Sequence, residues 1–199
     1  MGEKANIKRL REFVRDMTAL VEREPEEADM LSAGRGMLRP LISNDDWLPD
    51  AFAEPAPDRY RQYLLHCDPL ERFSVVSFVW GPGQRTPVHD HTVWGLVGVM
   101  RGAELCEEYA CDDGGLHKLG EHLVKPGGID AVSPTVGDIH VVSNASPDRV
   151  AVSIHVYGAN IGAVSRHVFD AQTGEAKPFI SGYSNAMTPN LWDRSAESA

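Results

Sequence analysis

At 199 residues, with 42% hydrophobic and 24% charged residues, the chain has the length and composition of one globular domain with a core of its own. A formal charge of -10, uninterrupted by any basic cluster, argues against nucleic acid and anionic membrane surfaces as partners. It leaves room for a small anionic substrate, because one buried arginine outweighs a distant surface field.

In chain order, the opening MGEKANIKRLREF has no apolar signal core, and no apolar run reaches membrane-spanning length. Ile7, Leu10, Val14, Met17 and Val21 recur at helical spacing and predict an amphipathic helix that must pack on something. Pro25 breaks it, and Glu26 to Ala33 begins a second helix. Leu38 to Pro57, rich in Pro, Asp and Asn, predicts turns, followed by a short helix over Asp58 to His66. Cys67, Cys106 and Cys111 are odd in number and lack C-x-x-C spacing, which reads as reduced thiols in a cytoplasmic protein.

From Phe73 the pattern changes to short β-branched or aromatic stretches: FSVVSFVW, VWGLVGVM, AELCEEYA, HKLGEHLV, DAVSPTV, IHVVSN, RVAVSIHVYG and AVSRHVFD. Gly, Pro, Asn and Asp punctuate them. The prediction is a mainly β chain, an antiparallel small sandwich or barrel with the N-terminal helices packed on it. Residues 1–66 would form the helical segment, 67–186 the barrel and 187–199 a tail, frayed from Ser195, within a single domain.

Within GPGQRTPVHDHTVWG, His89 and His91 are two apart, so on a strand they share a face while Asp90 points away. Two converging imidazoles make half a divalent metal site, although polar strand faces carry such pairs by chance. The wider spacing is more specific. Gly83, His89, His91, Gly95 and Gly102 resemble the first motif of the cupin family, with Gly95 where a glutamate ligand usually stands. Gly128, Pro134, Gly137, His140 and Asn144 resemble the second, with one extra residue between Pro134 and Gly137. The resemblance implies a jelly-roll β-barrel with His140 as a third ligand. A set of three neutral histidines would leave a dication its full charge, favour an anionic ligand such as a thiolate, and keep coordination positions open for catalysis. Imidazoles alone do not choose among Fe, Zn, Cu and Ni.

In RVAVSIHVYGANIG, Ser153, His155 and Tyr157 alternate with Val152, Ile154 and Val156. One reading is a half-exposed strand with its polar face in water. The other is a hydrogen-bonded relay that holds the phenol over a metal. The combination of HDH, a later histidine and S-x-H-x-Y resembles bacterial thiol dioxygenases of the cysteine dioxygenase family, from about Tyr60 to Asn185. Within it the pattern is most similar to 3-mercaptopropionate dioxygenase. The resemblance implies one Fe(II) per chain on His89, His91 and His140, with Ser153, His155 and Tyr157 as an outer triad. It also implies a small thiol-carboxylate and O2 as substrates. Two departures stand out: Gln62 replaces a substrate-binding arginine, and Gly95 or Leu96 stands where animal enzymes carry a tyrosine-linked cysteine. Arg166 matches the arginine that would hold the carboxylate, with polar help from Gln62 or Tyr157, and Arg61 is its rival.

His66, His117, His122 and His167 fall outside the motifs and read as surface or supporting residues, and Trp80 and Trp94 as wall or core aromatics. The competing functions are cysteine oxidation to its sulfinate, a non-catalytic metal- or ligand-binding cupin, and a zinc hydrolase or isomerase. The sequence leaves the oligomeric state open, with a homodimer as one expectation.

Overall fold

A computed structural model describes residues 6–112 and 115–194, so the tail from Ser195 lies outside the described residues. Helix α1 (Lys8–Val21) buries Leu10, Val14, Met17 and Val21, as its periodicity requires, and adds Phe13 and Leu20 to the same stripe. Helix α2 (Glu27–Ile42) is longer than expected. Glu27 and Asp29 in its first turn complement the helix dipole, and buried Leu38, Leu41 and Ile42 carry it through Pro40 into its last turn. That burial outweighs the one backbone hydrogen bond that the proline forgoes. No helix among the described residues is long and apolar enough to cross a membrane.

After a short 3₁₀ turn (Asp50–Phe52), the segment expected as a helix over 58–66 is instead a strand, β1 (Arg61–Cys67). It pairs antiparallel with β2 (Ser74–Trp80), with a bulge between Leu64 and His66, and buries Leu65. A neighbouring strand with open hydrogen bonds overrides the local helical preference. The remaining strands are β3 (Val88–His89), β4 (Gly95–Arg101), β5 (Glu104–Asp112), β6 (Gly115–Val124), β7 (Ile129–Val132), β8 (His140–Asn144), β9 (Ala151–Tyr157), β10 (Arg166–Phe169) and β11 (Ala176–Phe179).

They form two antiparallel sheets, ordered β1-β2-β9-β4-β7 and β11-β10-β3-β8-β5-β6. The architecture is thus the predicted mainly β, cupin-like one, but as two facing sheets rather than a closed barrel. Facing is evident in the cluster that joins Val76, Phe78 and Trp80 of β2 and Tyr157 of β9 to Val142 of β8.

The helices cover the other face of the first sheet. Leu10, Met17, Leu38 and Ile42 pack with Val75, Val79, Leu96, Met100, Val152, Ile154 and Val156. Their approach is close: a Cβ on Gly34 would lie 2.9 Å from Leu96, and one on Gly98 would lie 3.0–3.2 Å from Ile42 and Leu38. With a helical layer on one side and a sheet on the other, β2 and β9 are buried at every residue. The half-exposed reading of β9 is therefore corrected. Its polar alternation points Ser153, His155 and Tyr157 between the sheets, away from water.

Leu38 is fully buried at this helix–sheet seam. Leu38→Ala is expected to lower stability by about 2–5 kcal/mol in urea denaturation. A loss well under about 1 kcal/mol would show that the helices are not part of the cooperative core.

Candidate metal centre and its surroundings

The centre begins with a register. His89 ends β3 directly opposite His140, which opens β8 on the antiparallel neighbour, so both side chains leave the same face of the second sheet. His91 reaches the same place from the loop that follows. Its backbone N–H donates to Asp138 Oδ1 at 3.0 Å, and the Thr92 N–H donates to Oδ2 at 2.9 Å. Thr92 takes a left-handed φ of 60°, turning the chain into β4. The three ring centroids lie 4.8–4.9 Å apart, pair by pair. All three imidazoles are buried.

One nitrogen of each ring is already engaged. His89 Nδ1 lies 3.1 Å from the Pro87 carbonyl and His91 Nδ1 lies 2.9 Å from Asp138 Oδ1. His140 Nδ1 sits 3.6 Å from Cys106 Sγ. The carbonyl and carboxylate acceptors place a proton on Nδ1 of His89 and His91 and leave their Nε2 lone pairs available. His91 Nε2 is buried with no hydrogen-bond partner, an arrangement that costs free energy unless a cation takes the lone pair. The residues therefore fit a divalent metal with three nitrogen ligands and open positions. Burial, reinforced by the neighbouring imidazoles and the Arg166 charge, holds His89 and His140 well below the usual histidine range, so both are neutral, the form that ligates. Asp138 stays below the usual carboxylate range despite its burial, because the His91 ring and two backbone N–H groups stabilise its charge.

Over these rings lies the chain of polar groups from β9. Trp80 Nε1 donates to Ser153 Oγ at 3.3 Å, Ser153 Oγ lies 2.7 Å from His155 Nε2, and His155 Nδ1 lies 2.8 Å from the Tyr157 hydroxyl. Phe78 stacks on His155 at 4.0 Å between centroids, and Tyr157 stacks on His91 at 5.3 Å. Burial keeps His155 neutral and pushes the Tyr157 phenol well above its ordinary value, so it remains a hydroxyl. Gly95 is directly opposite Tyr157, where a Cβ would come within 2.7 Å of the phenol ring. Leu96 faces the helices instead, so the residue beside the phenol is Gly95, which offers no atom to bond to the tyrosine.

Arg166 opens β10, where Val168 lies opposite His89; two residues away on the same strand face, Arg166 is directed to the same side. It is 4% exposed. Its Nη2 donates to Ser181 Oγ at 2.8 Å, its guanidinium lies 4.7 Å from the Phe179 ring centre, and its Nε has no partner. No carboxylate pairs with it among the described residues. Its rival Arg61 is engaged by Asp58 at 3.2 Å. Gln62 is buried on the inner side, opposite Phe78, but its Nε2 donates to the Gly182 carbonyl next to Ser181.

Asp90 points away from the rings, as expected, and binds the backbone and ring of His167 at 2.6 and 2.8 Å, tying β3 to β10. Trp80 is fully buried and Trp94 partly buried against the core. A surface cavity of about 830 Å³ between α1, β1 and the C-terminal segment contains none of these groups.

Sequence reasoning missed Asp138, Cys106, Ser181 and Glu104. Asp138 carried a signal, a carboxylate two residues before a ligand histidine. The others became neighbours only through tertiary packing. Glu104 is buried near Ser153 and Trp80, both its oxygens lack a partner, and burial raises its carboxyl to about 7.

The chain is similar to several solved structures and to one family model. A protein of Thermus thermophilus, TT1209, is 20% identical over 55% of this chain and 92% of its own, with a TM-score of 0.44. An uncharacterized conserved protein with a double-stranded β-helix domain from Klebsiella pneumoniae is 20% identical over 60% and 95%, with a TM-score of 0.44. An oxalate oxidase in complex with the substrate analogue glycolate is 19% identical over 52% and 53%, with a TM-score of 0.42. The decisive match is to the family model of cysteine dioxygenase type I, which spans residues 7–171, from α1 through β10, and includes all three histidines, the β9 relay and Arg166. The chain belongs to the cysteine dioxygenase type I family.

Proposed function

We propose that the protein is an iron-dependent thiol dioxygenase that converts a small mercapto-carboxylate, 3-mercaptopropionate before cysteine, to its sulfinate. The family is iron-dependent in general and implies a small thiol and O2 as reactants. The observation that carries the reading is the buried, partnerless His91 Nε2 within the three-imidazole cluster, beneath a fully buried Ser153–His155–Tyr157 relay.

Fe(II) on His89, His91 and His140 would supply a Lewis-acidic, redox-active centre at which thiolate sulfur and dioxygen meet. The net reaction takes up both oxygen atoms, and the thiol sulfur supplies all four electrons, so no external reductant is required. The chain's own residues do the rest. Arg166, buried and without an acidic partner, binds the substrate carboxylate through its remaining N–H groups and fixes the sulfur's orientation. Gln62 acts at one remove, bracing through Gly182 the segment whose Ser181 holds Arg166.

The relay orients a proton. Trp80 only donates, so Ser153 can pass its hydrogen to His155 Nε2, His155 its Nδ1 hydrogen to the Tyr157 oxygen, and Tyr157 its own hydrogen into the site. A neutral phenol aimed at developing negative charge on oxygen is a preorganised donor. Gly95 gives the ring its place and leaves it unmodified.

The preference for a substrate without an ammonium group follows from charge. The site's surroundings are imidazole, guanidinium and phenol, and the nearby carboxylates Asp138 and Asp90 are engaged by His91 with Thr92 and by His167. An ammonium would meet imidazoles and the Arg166 charge there; the buried Glu104 carboxyl, raised to about 7, lies behind Ser153 and Trp80 at the far end of the relay.

On iron-loaded protein, oxygen uptake should be matched by sulfinate and be more efficient with 3-mercaptopropionate than with L-cysteine. A strong cysteine preference would overturn the substrate assignment, and thiol-independent hydrolysis with stoichiometric zinc would overturn the reaction. Arg166→Gln should raise KM for the thiol-carboxylate about ten- to a hundred-fold, the loss of one charge-assisted pair, while leaving a thiol lacking a carboxylate unaffected. Tyr157→Phe should retain iron but release less sulfinate per oxygen consumed. An unchanged ratio would remove the phenol from the chemistry.

A further inference from the structure

Outside the three-histidine centre, one other group of side chains among the described residues brings sulfur, nitrogen and oxygen together. Cys106 on β5 and His122 on β6 are direct cross-strand partners, so their side chains share a face of the second sheet. Asp130 comes from β7, the edge strand of the first sheet. His122 Nε2 lies 2.7 Å from Asp130 Oδ2, and a ligand atom from each of the three residues lies within 4.8 Å of the others. The Glu108 carboxylate stands 3.7 Å from His122 Nδ1. A cavity of about 540 Å³ opens over the group, so an ion can enter from solvent.

We propose that Cys106, His122 and Asp130 form a second metal site, distinct from the three-histidine centre, that takes a borderline divalent cation such as Zn(II). One thiolate, one imidazole and one carboxylate at this spacing are a donor set that zinc prefers over hard cations, which want oxygen alone. The local field points the same way. The carboxylates of Asp130 and Glu108 both stand beside His122, so a dication would offset negative charge already gathered there. As the sulfur–metal bond forms, the thiol proton leaves to water.

The site would do two things. It would clasp the edges of two sheets that share no backbone hydrogen bonds there, since β6 and β7 end their separate sheets. It would also sit one contact away from the catalytic centre, because Cys106 Sγ is 3.6 Å from His140 Nδ1.

Co(II) is a suitable probe, because the three-histidine centre contains no sulfur and cannot give a thiolate-to-cobalt charge-transfer band. Titrated anaerobically into iron-loaded full-length protein without substrate, Co(II) should give a saturable near-ultraviolet band equivalent to one ion per chain. The band should persist in His91→Ala and in Cys111→Ser. It should vanish in Cys106→Ser and need at least ten times more Co(II) in His122→Ala and Asp130→Asn, whose side chains are partly exposed and should tolerate change. Absence of the band in the wild type, its survival in Cys106→Ser, or its indifference to both His122→Ala and Asp130→Asn would overturn the site. None of these readouts depends on thiol oxidation, so failure of the dioxygenase reading and failure of this one are distinguishable.

Discussion

The antiparallel register that sets His89 opposite His140 is the constraint on which the rest of the molecule depends. Cross-strand partners share a face, so this single pairing commits two imidazoles to the space between the sheets. Shifting the register by one residue would turn one of them outward. His91 lies beyond the strand and joins them only because Asp138, two residues before His140, accepts both its backbone N–H and its ring N–H. The second motif therefore supplies one imidazole of the cluster and also the support for an imidazole of the first.

That register has value only inside a dry layer. The two N-terminal helices seal the outer face of the first sheet, while the second sheet covers its inner face. Burial keeps His89, His140 and His155 neutral and the Tyr157 phenol protonated. Neutral imidazoles are what a metal binds, and a phenol that keeps its proton is what can donate one. The same low-dielectric setting makes the lone Arg166 guanidinium a strong attractor for a carboxylate, since nothing acidic among the described residues neutralises it. The tight helix–sheet contacts at Gly34 and Gly98 thus bear on the chemistry through solvent exclusion, though they lie on the far face of the sheet.

Glycine at position 95 shows how one absence in the sequence has two structural meanings. In the motif it is a missing carboxylate ligand. In the fold it is the space that the Tyr157 ring occupies, with any added Cβ in collision. A cluster of three imidazoles with no carboxylate among them, and a phenol with no neighbouring side chain to bond to, follow from the same glycine.

Much of this was readable from the chain itself. The mainly β class and the first helix rest on local periodicity, because side-chain direction repeats every two residues in a strand and every 3.6 in a helix. The same strand rule pairs His91 with His89, but His91 lies beyond β3 and meets His89 through Asp138 instead. The S-x-H-x-Y alternation marked one polar face for the same reason, but not which side of the sheet held water. Strand β1 and the end of α2 were misread, since strand pairing and core burial by distant residues overrode local turn and helix signals. Gln62's engagement with Gly182, Arg166's hold on Ser181, and the meeting of Cys106 and His122 with Asp130 were decided by tertiary structure alone. They join residues far apart in the chain, and only the sheet order and the stacking of one sheet on the other bring such residues within a hydrogen bond's reach.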